Sequence, residues 1–102
     1  MYEVTPDIKA KITLLGRESM YSGYRPAHKI KLERGDYLTT GLQQYIGTDI
    51  LNRNETVEGY ITFISPEAYP HTIKIGMIIP FYEGSKLTGK AEVLEIYNEI
   101  LK

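Results

Sequence analysis

Thr56-Val57-Glu58-Gly59-Tyr60-Ile61-Thr62-Phe63-Ile64-Ser65 alternates along its whole length. Val57, Gly59, Ile61 and Phe63 fall on one face, and Glu58, Tyr60, Thr62 and Ile64 on the other. That is the two-residue period of a strand with one side against a core. Pro66 stops it. Far upstream, Ile8-Lys9-Ala10-Lys11-Ile12-Thr13-Leu14 repeats the pattern, with Ile8, Ala10, Ile12 and Leu14 on the apolar face. Between the two, His28-Lys29-Ile30-Lys31-Leu32 alternates again and predicts a strand over about residues 25–33. Arg34-Gly35-Asp36 ends that strand as a turn; the tripeptide matches an integrin-binding motif, but its position between strands favours the turn. Residues 37–48 show no clear period and read as loop or short edge strand. Ile50-Leu51 reads as a brief strand, and Asn52-Arg53-Asn54-Glu55 as a turn, because Asn tolerates left-handed backbone.

Downstream of the alternating run, Glu67-Ala68-Tyr69-Pro70-His71 is a loop held between two prolines. Thr72 to Ile75 is β-branched and predicts a short strand, interrupted by Gly76. Met77 to Tyr82 predicts another, in which Pro80 marks an edge or a bulge because it has no N–H to give. Glu83-Gly84-Ser85 is a tight hairpin signal. Lys86 to Ile96 returns as the last long strand, with Gly89 allowing a bend or a close backbone approach. A short helical turn is expected in residues 97–102. About six strands, Gly/Pro/Asn punctuation and no long helical stripe predict an all-β protein. The expectation is a closed six-stranded antiparallel barrel of Greek-key type, formed by residues 1–102 as one domain, since closing the sheet removes exposed edges.

Composition bounds the function. A chain of 102 residues supports one core. Hydrophobic residues at 42% and charged residues at 25% are those of an ordered globular protein. No apolar run approaches the roughly 20 residues that span a bilayer, and no secretory leader opens the chain, so no membrane partner and a cytoplasmic location are expected. The absence of Cys removes disulfides, thiolate nucleophiles and Cys-rich zinc sites. His28 and His71 alone cannot build an imidazole metal site, so no metal and no cofactor is expected. Either His would titrate near neutral pH in an ordinary environment. Net charge is −1, but residues 1–34 hold seven basic and four acidic side chains, while residues 35–102 hold five and nine. Nine Tyr supply rings with polar tips suited to strands and to binding surfaces.

Gly23-Tyr24-Arg25-Pro26, with Gly16-Arg17 before it and Phe81-Tyr82-Glu83-Gly84-Ser85 and Gly89 far behind, resembles the third domain of translation elongation factor Tu, a small β-barrel. The likeness runs over about residues 7–96. It implies a barrel fold, and it implies that Arg17, Glu83 and Gly84 match positions near the tRNA backbone, where Gly N–H groups and Arg approach phosphate. Lys29, Lys31 and Lys86 complete the RNA-binding candidates. The chain also departs from the family: Leu15 and Ala27 replace a Gly and a Gln, Asn52–Glu55 replaces a Pro-Gly-Asp turn, and residues 35–50 align poorly. Gly23, Tyr24, Arg25 and Pro26 are expected to serve the fold, with Arg25 holding a loop through Glu67 or Asp36.

No phosphate-binding Gly loop occurs, so no nucleotide site of its own is expected; Gly-x-Ser-x-Gly and His-Glu-x-x-His are also absent. Strict alternation puts Glu92 and Glu95 on opposite faces, wrong for shared acid–base work. No catalytic residue is assigned. The expected function is a non-enzymatic module acting through protein–protein contacts, in translation or in a toxin or effector system. The alternative is an RNA-binding barrel for the T arm of tRNA. The apolar Ile100-Leu101 tail also suits a homodimer contact.

Overall fold

The computed structural model describes residues 5–102. Eight strands run in the order β1 (Ile8–Leu14), β2 (Ser19–Tyr21), β3 (Ala27–Leu32), β4 (Gly35–Tyr45), β5 (Ile50–Asn52), β6 (Thr56–Phe63), β7 (Ile78–Glu83) and β8 (Lys86–Ile96). Six of them close an antiparallel barrel in the order β1-β6-β4-β3-β7-β8, with β8 pairing back to β1. β3, β4 and β6 lie side by side with β1 beside β6, which is the Greek-key arrangement. β2 and β5 form a separate two-stranded ribbon. Pro66–Ala68 and Glu99–Leu101 are 3₁₀ turns. No helix among the described residues is long and apolar enough to cross a membrane.

The alternating runs decide the interior. Ile8, Ala10, Ile12 and Leu14 from β1 are buried, as are Ile61 and Phe63 from β6, Ile30 from β3, Ile79 and Phe81 from β7, and Ala91 and Val93 from β8. The long connection over residues 64–77 wraps across one end of the barrel and plugs it with Tyr69 and Ile73. Ile73 N–H donates to Leu101 O at 3.0 Å, which ties this plug to the chain's last turn. Buried Asp7 fastens the same end. Its carboxylate accepts from Phe63 N–H at 2.6 Å and from Asn98 Nδ2 at 2.8 Å.

Four readings of the sequence need correction. Residues 35–45 form an eleven-residue barrel strand, where a loop or short edge strand was expected over residues 37–48. β4 keeps the period, but of its buried positions Thr39, Gly41, Gln43 and Tyr45 only the last carries an apolar signal. Thr72–Ile75 is not a strand, because Ile73 is drawn inward as the plug. Glu92 and Glu95 share the outer face, opposite Lys11 and Lys9, since an irregularity in the β1–β8 ladder adds a residue at Leu94 and resets the alternation. Leu101 packs entirely into its own barrel, so of the Ile100-Leu101 tail only Ile100 stays exposed.

Other turns follow their sequence. Asn54 takes φ 67° in the β5–β6 turn. Gly84-Ser85 links Glu83 and Lys86 as a two-residue hairpin turn. The turn expected at Arg34-Gly35-Asp36 is displaced: Glu33-Arg34 links Leu32 to Gly35, and Gly35 and Asp36 begin β4. Gly89 sits where β8 is pressed between the Phe81 ring and Thr13 O, and a Cβ there would collide with both. Gly89→Val is therefore expected to cost about 1–3 kcal/mol by overpacking. A urea titration measures it, and an unchanged midpoint would show that this crossing has slack.

Candidate functional site

The six RNA-binding candidates separate into two groups. Arg17, Glu83 and Lys86 gather with Gly16, Glu18, Ser19 and Arg53 around one shallow depression, at the hairpin where Gly84 turns. The Arg17 guanidinium donates through Nη1 to both Glu83 oxygens, at 2.8 and 3.0 Å. Arg53 Nε donates to Arg17 O at 3.2 Å. Arg17 is thus already engaged by a carboxylate, and Glu18 and Glu83 offset two of the three basic groups. Arg53 was not among the candidates; the Asn-rich turn that carries it gave no charge signal.

Lys29 and Lys31 lie elsewhere, on the outer face of β3. They line a groove of about 300 Å³ with Asp36, Met77, Ile78, Pro80 and Tyr82. Lys29 Nζ reaches Asp36 at 3.3 Å and stands 5.5 Å from the centre of the Tyr82 ring. The Asp36 bond and the neighbouring Tyr82 hold the Lys29 ammonium above its ordinary pKa. Lys31 has no ion pair among the described residues. Leu38, opposite Lys29 on β4, is 55% exposed, and Ile78 is 51% exposed, so apolar side chains flank the lysines on both sides.

The groove exists because the barrel is joined there by few rungs. β3 pairs β7 only through Ala27↔Tyr82 and His28↔Phe81. Backbone directions explain the stop. Gly41 N–H donates to Pro26 O, so Pro26, His28 and Ile30 turn their polar backbone groups to β4. Ala27, Lys29 and Lys31 therefore face β7. On the other side Val93 N–H donates to Met77 O, so Met77, Ile79 and Phe81 face β8, and Ile78 and Pro80 face β3. At the next rung Lys29 N–H faces Pro80 O, but Pro80 has no N–H to return the bond. The proline that marks an edge in the sequence lies inside a closed barrel, where it removes one ladder bond.

Gly23-Tyr24-Arg25-Pro26 leads into β3. Gly23 has φ 101°, a backbone that strains other residues. Tyr24 packs against the core, its ring 6.1 Å from Phe81, and its hydroxyl donates to Thr88 Oγ1 at 3.1 Å. Partial burial pushes its phenol up to about 12, so it stays a neutral donor. Arg25 is exposed and pairs with neither Glu67 nor Asp36; Asp36 is held by Lys29. Instead it borders an outer cleft with Thr40, Leu42, Thr62, Phe63 and Ile64.

His28 is fully buried inside the barrel. Gln43 Nε2 donates to its Nε2 at 3.1 Å, which leaves Nδ1 as the protonated nitrogen, donating to Pro26 O at 3.2 Å. Tyr45 OH donates to Gln43 Oε1 at 3.3 Å. Phe63 and Phe81 pack against the imidazole at 5.5 and 5.6 Å. Burial lowers its pKa to about 4, against the partial opposition of the bonds to Pro26 and Thr39. The sequence expectation that His28 titrates near neutrality is therefore overturned: it is a neutral, satisfied core residue. No protein-family model matches the chain, and no curated protein matches it in sequence.

Proposed function

We propose that this barrel is a non-enzymatic binding module that works through protein–protein contacts at the β3–β7 groove. The observation that carries the reading is the groove itself: Lys29, Lys31 and Asp36 border it on one side, and Met77, Ile78, Pro80 and Tyr82 form its other wall. Apolar centres with a charged rim are the usual anatomy of a protein contact. The resemblance of Gly23–Pro26 and Phe81–Gly89 to elongation factor Tu's third domain supports a partner in translation or in an effector system that borrows such a barrel.

RNA binding at the Arg17 depression is the weaker reading. Glu83 already offsets the Arg17 charge, so a phosphate there would share the guanidinium with a carboxylate and draw chiefly on Arg53 and Lys86. A photo-crosslinking residue at position 78, introduced in cells of the source, tests the choice. A protein adduct that disappears with Tyr82→Ala and is absent with the crosslinker at position 64 supports protein binding. No such adduct, together with salt-dependent binding of bulk tRNA at about 50 mM salt that Lys86→Ala weakens, would replace it with the RNA reading.

A further inference from the structure

We infer that the groove beside β7 takes a second copy of this chain, related by a two-fold axis along β7 at Ile78, so that Lys31 of each copy meets Glu92 of the other. The inference rests on the protein-contact reading above and names the partner at that groove.

Charge selects the occupant. The outer surface here carries both signs, with Lys29, Lys31 and Asp36 on one side of β7 and Lys90 and Glu92 on the other. Asp36 is bonded to Lys29, whereas neither Lys31 nor Glu92 has an ion pair among the described residues. A partner of a single sign meets repulsion as well as attraction on such a surface. A copy of the same surface does better, because the signs are ordered across the strands. Ile78 pairs with Glu92 on β8 and shares the groove with Lys31 on β3. That row reads acid, apolar, base. Neighbouring strands lie about 4.8 Å apart, so acid and base stand at similar distances from Ile78. A two-fold axis along β7 lays Ile78 on its own equivalent and exchanges the two ends, and both ion pairs form together. Self-complementarity of this kind is what a two-fold contact requires. In the next row Lys90, paired with Pro80, approaches the Lys29–Asp36 pair of the second copy, where the carboxylate reduces the repulsion.

Apolar side chains lie near the same line. Ile78 is 51% exposed, and Ile75, in the turn that leads into β7, is 70% exposed. One barrel leaves both in water, and pairing two faces along β7 removes them from it. A net charge of −1 sets up little repulsion between whole copies.

Sedimentation velocity on the purified full chain, from about 10 μM to about 1 mM, tests the inference. A monomer–dimer equilibrium is the expected result. Lys31→Glu and Glu92→Lys should each weaken the dimer by about tenfold or more, with the circular dichroism spectrum unchanged. An equimolar mixture of the two variants should recover the dimer, since each supplies the sign that the other lacks. A monomeric mass at every concentration would overturn the inference. So would a dimer indifferent to both variants, or a mixture that associates no better than either variant alone. In any of those cases a crosslink from position 78 to a different protein would still support the protein-contact reading.

Discussion

Phe81→Ala is expected to remove about 3–5 kcal/mol of stability, the cost of a deep aromatic cavity that its surroundings cannot fill. Phe81 is fully buried on β7 and lies between three neighbours that are themselves fixed. Tyr24 meets its ring edge-on at 6.1 Å, His28 lies 5.6 Å away, and β8 is pressed against it at Gly89. Each of those neighbours is anchored by its own bond: Tyr24 to Thr88, Thr88 to Phe81 O at 3.2 Å, and His28 to Gln43. Collapse into the cavity would break one of them, so relaxation recovers little. A domain of this size has about 5–15 kcal/mol in total, so the variant should lose a large fraction of its stability. Urea denaturation followed by circular dichroism measures the loss. A cost below about 1 kcal/mol would mean that the ring is not a central packing element.

The second large effect is a loss of stability with falling pH, caused by His28. Its folded pKa is about 4, while an unfolded His titrates near 6.5. Above about pH 7 both states hold it neutral and it contributes no pH dependence. As pH falls below about 6.5 the unfolded chain binds a proton that the folded chain refuses, so stability drops. By linkage the drop is about 2 kcal/mol between pH 7 and 5, and about 3 kcal/mol by pH 4, where the folded imidazole begins to accept the proton too. Urea titrations at half-unit steps between pH 7 and 5 should show this slope, and His28→Gln should flatten it. An NMR titration that finds the His28 ring protonating near pH 6.5 in the folded state would contradict the burial argument.

Much of the fold was legible because half-buried strands write their burial into the chain every second residue. β1 and β6 were read with their inward faces correct, since Ile8, Ala10, Ile12, Leu14, Ile61 and Phe63 are apolar and their outward neighbours mostly are not. β4 was not, because its inward Thr39, Gly41 and Gln43 serve a polar interior feature, the Gln43–His28 pair, rather than a greasy wall. The Gly41 position makes the reason concrete: a Cβ there would lie 2.7 Å from the His28 ring. The plug at Ile73 and the added residue at Leu94 likewise depend on segments distant in the chain.

The candidate site divides in the same way. The residue types were visible in the sequence: two lysines on one strand face, a proline inside another strand, a Gly hairpin. Their grouping was not. Arg17 and Glu83, 66 positions apart, neutralise one another, and Lys29 and Lys31 are separated from them and set beside Met77, Ile78 and Tyr82. By itself the sequence determined which residues of β1 and β6 turn inward, because alternation is a local property of the extended backbone. Only the tertiary structure decided which strands became neighbours and where Pro80 would fall on a seam. Strand pairing joins residues far apart in the chain, and no local pattern encodes which edge a missing N–H will face.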